Sequence, residues 1–76
     1  MAKANPFADI GEALREARDR LGLTQTQMAD RLGRTQVQIS KWESGESLPR
    51  TEDVRDVARE YKLKPDQLLP RSAIAS

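Results

Sequence analysis

One stretch of the chain, Arg34–Gly45, has outward-facing side chains of an unusual kind. Read as a helix, it places Ile39 and Trp42 three residues apart on one buried edge. The other edge lacks the Glu/Lys pairs common on exposed helices and instead carries Gln36, Val37, Ser40 and Lys41. A glutamine amide can form two hydrogen bonds with an adenine edge, and valine can contact a thymine methyl group in the major groove. The stretch therefore predicts a base-reading surface, with an ordinary solvated helix face as the alternative.

The residue inventory argues against an enzyme. The chain contains no cysteine and no histidine, so the commonest general base, the commonest metal ligands and the thiol nucleophile are all missing. Its carboxylates are interleaved with arginine along the predicted helix surfaces. We expect no catalytic residues, no metal site and no cofactor.

Length and composition limit the class further. Seventy-six residues allow one small domain with a modest core. Charged residues make up 33% of the chain and no apolar run approaches the roughly 18 residues of a membrane span. With no signal-peptide pattern at the N-terminus, we expect a soluble cytoplasmic protein. The net charge is only +1, so a basic surface for nucleic acid would have to be a local patch between Arg34 and Arg50.

The predicted elements begin with a flexible arm over residues 1–8, followed by a domain over 9–69 and a tail over 70–76. The first helix could start at Pro6 with Asn5 as its cap, or at Asp9 with Glu12 closing a capping box, and we expect a start between these two positions. Its apolar residues recur at helical spacing until Gly22, and Gly11 within it favours close packing or an early-turn position.

Two further helices follow with matching start signals. Thr24 and Gln27 form one potential capping box, and Thr35 and Gln38 form another. Gly33 ends the first of these helices and leaves a short turn, which lets the two helices cross steeply as a helix-turn-helix.

The rest of the chain predicts two more helices. Thr51 caps a fourth helix with an apolar inner edge that includes Tyr61, and Pro65 opens a short fifth helix that Pro70 stops. No strand pattern of useful length is present. The predicted class is therefore all-α with five helices.

The segments Leu23–Gly33 and Thr35–Gly45 carry Gln, Ala, Gly, Ile, Trp and Glu at a recognisable spacing. They resemble the Cro/phage-repressor helix-turn-helix family, also called the XRE type, and the likeness extends over roughly residues 10–69. It implies a compact, five-helix, lambda-repressor-like DNA-binding domain whose second and third helices contact DNA.

The resemblance also implies roles for single residues. Gln36 matches the first base-reading position, and Val37, Ser40 and Lys41 lie beside it. Gln25 matches a glutamine that contacts a phosphate and braces the first base-reading residue. Further phosphate contacts are expected at Arg34, Gln38 and Arg50. Arg18 and Glu43 match a structural ion pair between the first and third helices.

These observations predict a sequence-specific transcriptional regulator, most simply a repressor, that binds double-stranded DNA as a homodimer. One helix contacts few base pairs, whereas specific regulators need affinities near 10⁻⁸ M or better. Two copies on half-sites about 34 Å apart would meet that need on a pseudo-palindromic operator. The expected dimer interface includes Leu48, Leu68 and Leu69. The alternative is an antitoxin or adaptor that binds a protein partner, with DNA binding secondary.

Overall fold

The computed structural model describes residues 5–70, and this part of the chain is all-α, as predicted. It contains four α-helices: α1 (Ala8–Arg20), α2 (Gln25–Leu32), α3 (Gln36–Ser44) and α4 (Val54–Tyr61). Two short 3-10 turns, Thr51–Asp53 and Pro65–Leu68, precede and follow α4. Residues 1–4 of the predicted arm and residues 71–76 of the predicted tail lie outside the described residues.

All four helices contribute to one core. Each helix is polar on one side and apolar on the other, so the apolar edges can be removed from water together. Trp42 is a core residue, 5% exposed, as its shared edge with Ile39 predicts. The completely buried side chains come from every part of the fold: Leu14, Met28, Ile39 and Leu68 are each 0% exposed.

The sequence predictions for the starts of α2 and α3 are confirmed. Thr24 and Gln27 exchange hydrogen bonds in a complete capping box, and Thr35 and Gln38 do the same. Gly33 caps the end of α2 in the left-handed region at φ 65°, a conformation that costs glycine little. The Gly33 cap and the Thr35–Gln38 capping box fix the two ends of the turn between α2 and α3. They therefore fix the angle at which α3 leaves α2.

Gly11 allows α1 to approach the end of α3 closely. A Cβ atom at this position would lie 2.5 Å from the Glu43 carbonyl oxygen and 2.7 Å from the Gly45 nitrogen. Both neighbours are backbone atoms, which cannot move aside without moving the helix. Of the two explanations that the sequence left open for Gly11, close packing is the one that the structure supports.

The start of α1 lies between the two predicted starts, as expected, although neither predicted cap is used. The helix begins at Ala8, and its N-cap residue Phe7 makes no side-chain capping bond. The Asn5 side chain donates instead to the Ser44 carbonyl oxygen at 2.9 Å, and the Phe7 nitrogen donates to Gly45 at 3.1 Å. The residues just before α1 are therefore tied to the end of α3.

The predicted fifth helix is wrong as an α-helix. Pro65–Leu68 forms a single 3-10 turn, and Leu69 has already left the helical region at φ −106°, ψ 140°. The two prolines explain this, because Pro70 disfavours a helical conformation at Leu69 and four residues are too few to propagate an α-helix.

The predicted cap of α4 is also corrected. Thr51 begins a 3-10 turn and makes no capping bond, and α4 starts at Val54. Asp53, at the N-cap position of α4, makes no capping bond either, and its carboxylate forms an ion pair with Arg34. The side chain that could have capped the helix is used to join α4 to the turn before α3.

Candidate nucleic-acid interface

The outward edge of α3 carries the residues predicted to read bases. Gln36 and Lys41 are exposed, and Ser40 is half-buried. Val37 is 58% exposed, which is high for a large apolar side chain. Ile39 and Trp42, on the opposite edge of α3, are buried in the core. The four predicted base-reading side chains therefore project from a helix that is held in place.

Gln36 does not stand alone on this edge. Its Nε2 donates a hydrogen bond to Oε1 of Gln25 at 2.6 Å, across the turn from the first residue of α2. The structure thus brings together two residues that lie 11 positions apart in the sequence. The family resemblance assigned base reading to Gln36 and the bracing of that residue to Gln25. The bond restricts the rotation of an otherwise mobile side chain before any ligand arrives.

Arg18 and Glu43 form a buried ion pair beneath these glutamines. Arg18 Nε donates to Glu43 Oε2 and Arg18 Nη2 donates to Glu43 Oε1, each at 2.8 Å. The side chain of Glu43 is only 2% exposed and that of Arg18 11%. The two parallel bonds join the last turn of α1 to the last turn of α3.

Two further donors reach the same carboxylate. The Tyr61 hydroxyl donates to Glu43 Oε2 at 2.9 Å, and Gln25 Nε2 donates to Glu43 Oε1 at 3.2 Å. Sequence reasoning missed both contacts, since it placed Tyr61 only on the apolar edge of α4. A phenol on an otherwise apolar helix edge was the available signal, because a buried Tyr hydroxyl usually has a partner.

The hydrogen bonds keep Glu43 ionised. Burial in the protein favours the neutral acid, but the bonds from Arg18, Gln25 and Tyr61 together outweigh it and lower the pKa of Glu43 below its usual value. Burial of the Tyr61 hydroxyl, together with the neighbouring negative charge of Glu43, raises the pKa of Tyr61. Tyr61 therefore stays a neutral phenol that donates a hydrogen bond. The network therefore has a fixed arrangement of donors around one acceptor.

Three of the four predicted phosphate contacts, Arg34, Gln38 and Arg50, help to line a groove of about 260 Å³ beside α3, together with the predicted base-reading residue Lys41. The fourth, Gln25, lies at the start of α2. Arg34 is paired with Asp53. Gln38 uses its Oε1 in the capping box and keeps its amide hydrogens for other partners. The side chain of Arg50 is 83% exposed, and its distance of 3.9 Å from Glu52 is long for an ion pair. Arg50 is therefore the member of this set most open to an anion.

The predicted dimer interface requires one correction. Leu68 is 0% exposed and packs in the core of the single chain, so it is not available to a partner surface. Its neighbour Leu69 and the loop residue Leu48 are half-buried. The error arose because the adjacent residues Leu68 and Leu69 were assigned to one surface, whereas the 3-10 turn directs Leu68 into the core.

Residues 5–70 hold no arrangement typical of a metal site or of a membrane-spanning helix. This part of the chain has no group of three or more Asp or Glu side chains placed to hold a metal ion. It also has no helix with the length and apolar character needed to cross a membrane. Every buried side-chain nitrogen and oxygen in the same range has a hydrogen-bond partner.

Comparison with known proteins agrees with this geometry. A family model described as a helix-turn-helix domain matches residues 9–71. The chain belongs to the helix-turn-helix domain family. The match covers α1 to α4 and both 3-10 turns, so the whole described core, and not α2 and α3 alone, is the family's domain.

One relative of this helix-turn-helix chain is a transcriptional activator by name. The HTH-type transcriptional activator BcrR of Enterococcus faecalis is 34% identical over 61 residues, which are 80% of this chain and 30% of that protein. The chain therefore spans under a third of the length of this relative.

Among solved structures, the P22 c2 repressor in complex with a synthetic operator has a TM-score of 0.74 and 32% identity, covering 79% of this chain and 91% of the repressor chain. The restriction-modification controller protein C.AhdI of Aeromonas hydrophila has a TM-score of 0.72 and 24% identity, covering 83% and 91% of the two chains. The second likeness shows the fold alone. The first supports the resemblance to phage repressors and the DNA-binding character of the domain.

Proposed function

We propose that this helix-turn-helix domain is a sequence-specific transcriptional regulator, a repressor that binds a pseudo-palindromic operator as a homodimer. The observation that carries the proposal is the hydrogen bond between Gln36 and Gln25 on the exposed side of the helix-turn-helix. It holds an amide at the first turn of α3, the part of a recognition helix that enters the major groove first.

The surroundings of Gln36 suit the edge of a base pair. Val37 offers an exposed apolar surface for a thymine methyl group, and Lys41 lies one turn further along α3 with a charge for a guanine or a phosphate. Gln25 begins α2, where free backbone N–H groups and the helix dipole favour a phosphate. Arg50 is exposed beside α3, in the groove that Lys41 also lines, and is available to a second phosphate.

The homodimer follows from the size of this surface. One copy of α3 reaches only a few base pairs, too few for the affinity and specificity of a typical regulator. The P22 c2 repressor, which has a similar fold, is described in complex with an operator. We propose the repressor role on that likeness.

The experiment is selection of bound sites from a random duplex library, followed by titration at several salt concentrations. A palindromic motif is expected, with an affinity that falls as the salt concentration rises. Gln36→Ala should weaken binding to the selected site by ~1–3 kcal/mol and relax the choice at one base pair. Gln27→Ala is the matched control, since Gln27 is an exposed glutamine of α2 that serves its own capping box. Equal, weak binding to every duplex would overturn the proposal.

A further inference from the structure

A continuous series of hydrogen bonds joins the core of the protein to the proposed base-reading residue. Gln36 donates to Gln25, and Gln25 donates to Glu43. Arg18 and Tyr61 donate to the same carboxylate from the opposite side. The series therefore runs from a carboxylate that is almost completely buried to an amide that is exposed on α3.

The direction of every bond in this series follows from the carboxylate. An ionised Glu43 has no hydrogen to donate, so the group that faces it from Gln25 has to be the NH₂ end of the amide. The carbonyl oxygen of Gln25 is then turned towards Gln36. Because that oxygen only accepts, Gln36 must present its own NH₂ to Gln25.

The remaining capacity of the Gln36 amide is then fixed. One of its two N–H donors is used by Gln25, which leaves one N–H and the carbonyl oxygen for a ligand. One donor beside one acceptor complements adenine, which presents N7 as an acceptor and its N6 amino group as a donor. Guanine presents two acceptors, N7 and O6, and would leave the Gln36 oxygen facing another oxygen.

We propose that Glu43 is a positioning residue that sets the base preference of Gln36 from a distance, by fixing the direction of the two amides between them. The inference rests on the proposed function, because it assigns the physical origin of one base preference within it. Glu43 itself touches no DNA. Its 2% exposure keeps water from replacing the Gln25 amide as a donor.

Reversal of the amides requires a partner at position 43 that can also donate. If Gln25 turned, its NH₂ would face Gln36, and Gln36 would accept through its oxygen. Both N–H donors of Gln36 would then be free, which is the pattern that guanine accepts. A neutral amide at position 43 tolerates either direction, so the preference for adenine should fall.

The first test is a double variant, Arg18→Met with Glu43→Gln, which removes the ion pair as a unit and leaves no unpaired buried charge. Binding is measured to two duplexes that differ only at the base pair read by Gln36. We expect the wild-type protein to favour adenine over guanine by about tenfold or more, and the double variant by less than about threefold. An unchanged ratio in the folded double variant would overturn the proposal.

Tyr61→Phe is the matched control. It removes one donor from Glu43 but leaves the carboxylate ionised by Arg18, so the amide directions persist. Its adenine preference should equal that of the wild-type protein although its stability falls. A loss of preference in this variant would show that general loosening of the network, and not the acceptor character of Glu43, controls the ratio, and the proposal would fail.

A second measurement needs neither DNA nor a variant. Neutron diffraction from crystals of the deuterated wild-type protein distinguishes an ND₂ group from a carbonyl oxygen. The proposal requires the ND₂ of Gln25 to face Glu43 and the ND₂ of Gln36 to face Gln25, and the opposite direction at either residue overturns it. If the wild-type protein selects no duplex sequence, the proposed function fails, while the neutron result still decides the amide directions.

Discussion

At the scale of single residues, Glu43 is the common acceptor of the buried hydrogen-bond network in this domain. A carboxylate this buried is costly unless its oxygens are paired. Here Arg18, Gln25 and Tyr61 supply four hydrogen bonds from three different helices. The arrangement links stability to the geometry of the DNA-facing edge, because one of these donors is also the brace of Gln36.

The lowered pKa of Glu43 predicts how stability depends on pH. Glu43 is ionised more readily in the folded state than in the unfolded state, so its contribution is present above the ordinary glutamate pKa of about 4.5. It is lost as the pH falls below that value and through the folded-state pKa. Urea unfolding between pH 7 and pH 3 should show this acid loss, and the slope should be shallower in Glu43→Gln. Glu12→Gln, an exposed change in α1, should leave the slope as in the wild-type protein.

Tyr61→Phe should reduce the free energy of unfolding by ~1.5–3 kcal/mol, the usual range for a hydrogen bond to a charged group. The ring remains in the core, where Tyr61 is 1% exposed, so packing changes little. Urea denaturation at pH 7 measures the difference. A change below ~0.5 kcal/mol would mean that the hydroxyl contributes little to keeping the carboxylate paired.

At the scale of helices, the contact between α1 and α3 depends on Gly11. We expect Gly11→Ala to destabilise the fold by ~1–3 kcal/mol or more, although alanine is the better helix former, because the added methyl group would overlap backbone of α3. The midpoint of urea unfolding measures the effect. Glu12→Ala, at the next position and exposed, is the control and should change stability little. Equal stability of Gly11→Ala and the wild-type protein would contradict the close contact.

Some features of the helices could be predicted from the sequence, and others could not. The capping boxes of α2 and α3 were predictable because threonine and glutamine at fixed spacing act locally. The buried edges were predictable because apolar residues repeat at helical spacing. The hydrogen bonds of Gln25 and Tyr61 to Glu43 were not, since they join residues 18 positions apart whose meeting depends on helix crossing. The fifth helix is only a 3-10 turn because Pro70 disfavours a helical conformation at Leu69, which leaves four residues from Pro65 to Leu68.

At the scale of the whole molecule, the low net charge of +1 limits non-specific attraction to DNA. Several cations are already engaged within the fold. Arg18 is paired with Glu43 and Arg34 with Asp53, which leaves Lys41 and Arg50 as the more available charges beside α3. In the proposed complex, contacts from Gln36 and Val37 would therefore supply a large share of the discrimination between sites.

This charge distribution predicts a modest salt dependence. If Lys41 and Arg50 each neutralise one phosphate in both copies of a dimer, log K should fall against log salt with a slope of roughly −3 to −4. Arg50→Gln removes two of these contacts per dimer, so the slope should become less steep by about 2, while the selected sequence stays the same because a phosphate contact does not distinguish bases. Fluorescence titrations of a labelled operator between low and moderate salt measure both slopes.

Arg55→Gln, an exposed arginine on α4, is the matched control and should leave the slope unchanged. An equal loss in both variants would mean that the protein responds to overall charge, whereas a loss confined to Arg50→Gln would place the DNA backbone along the loop after α3.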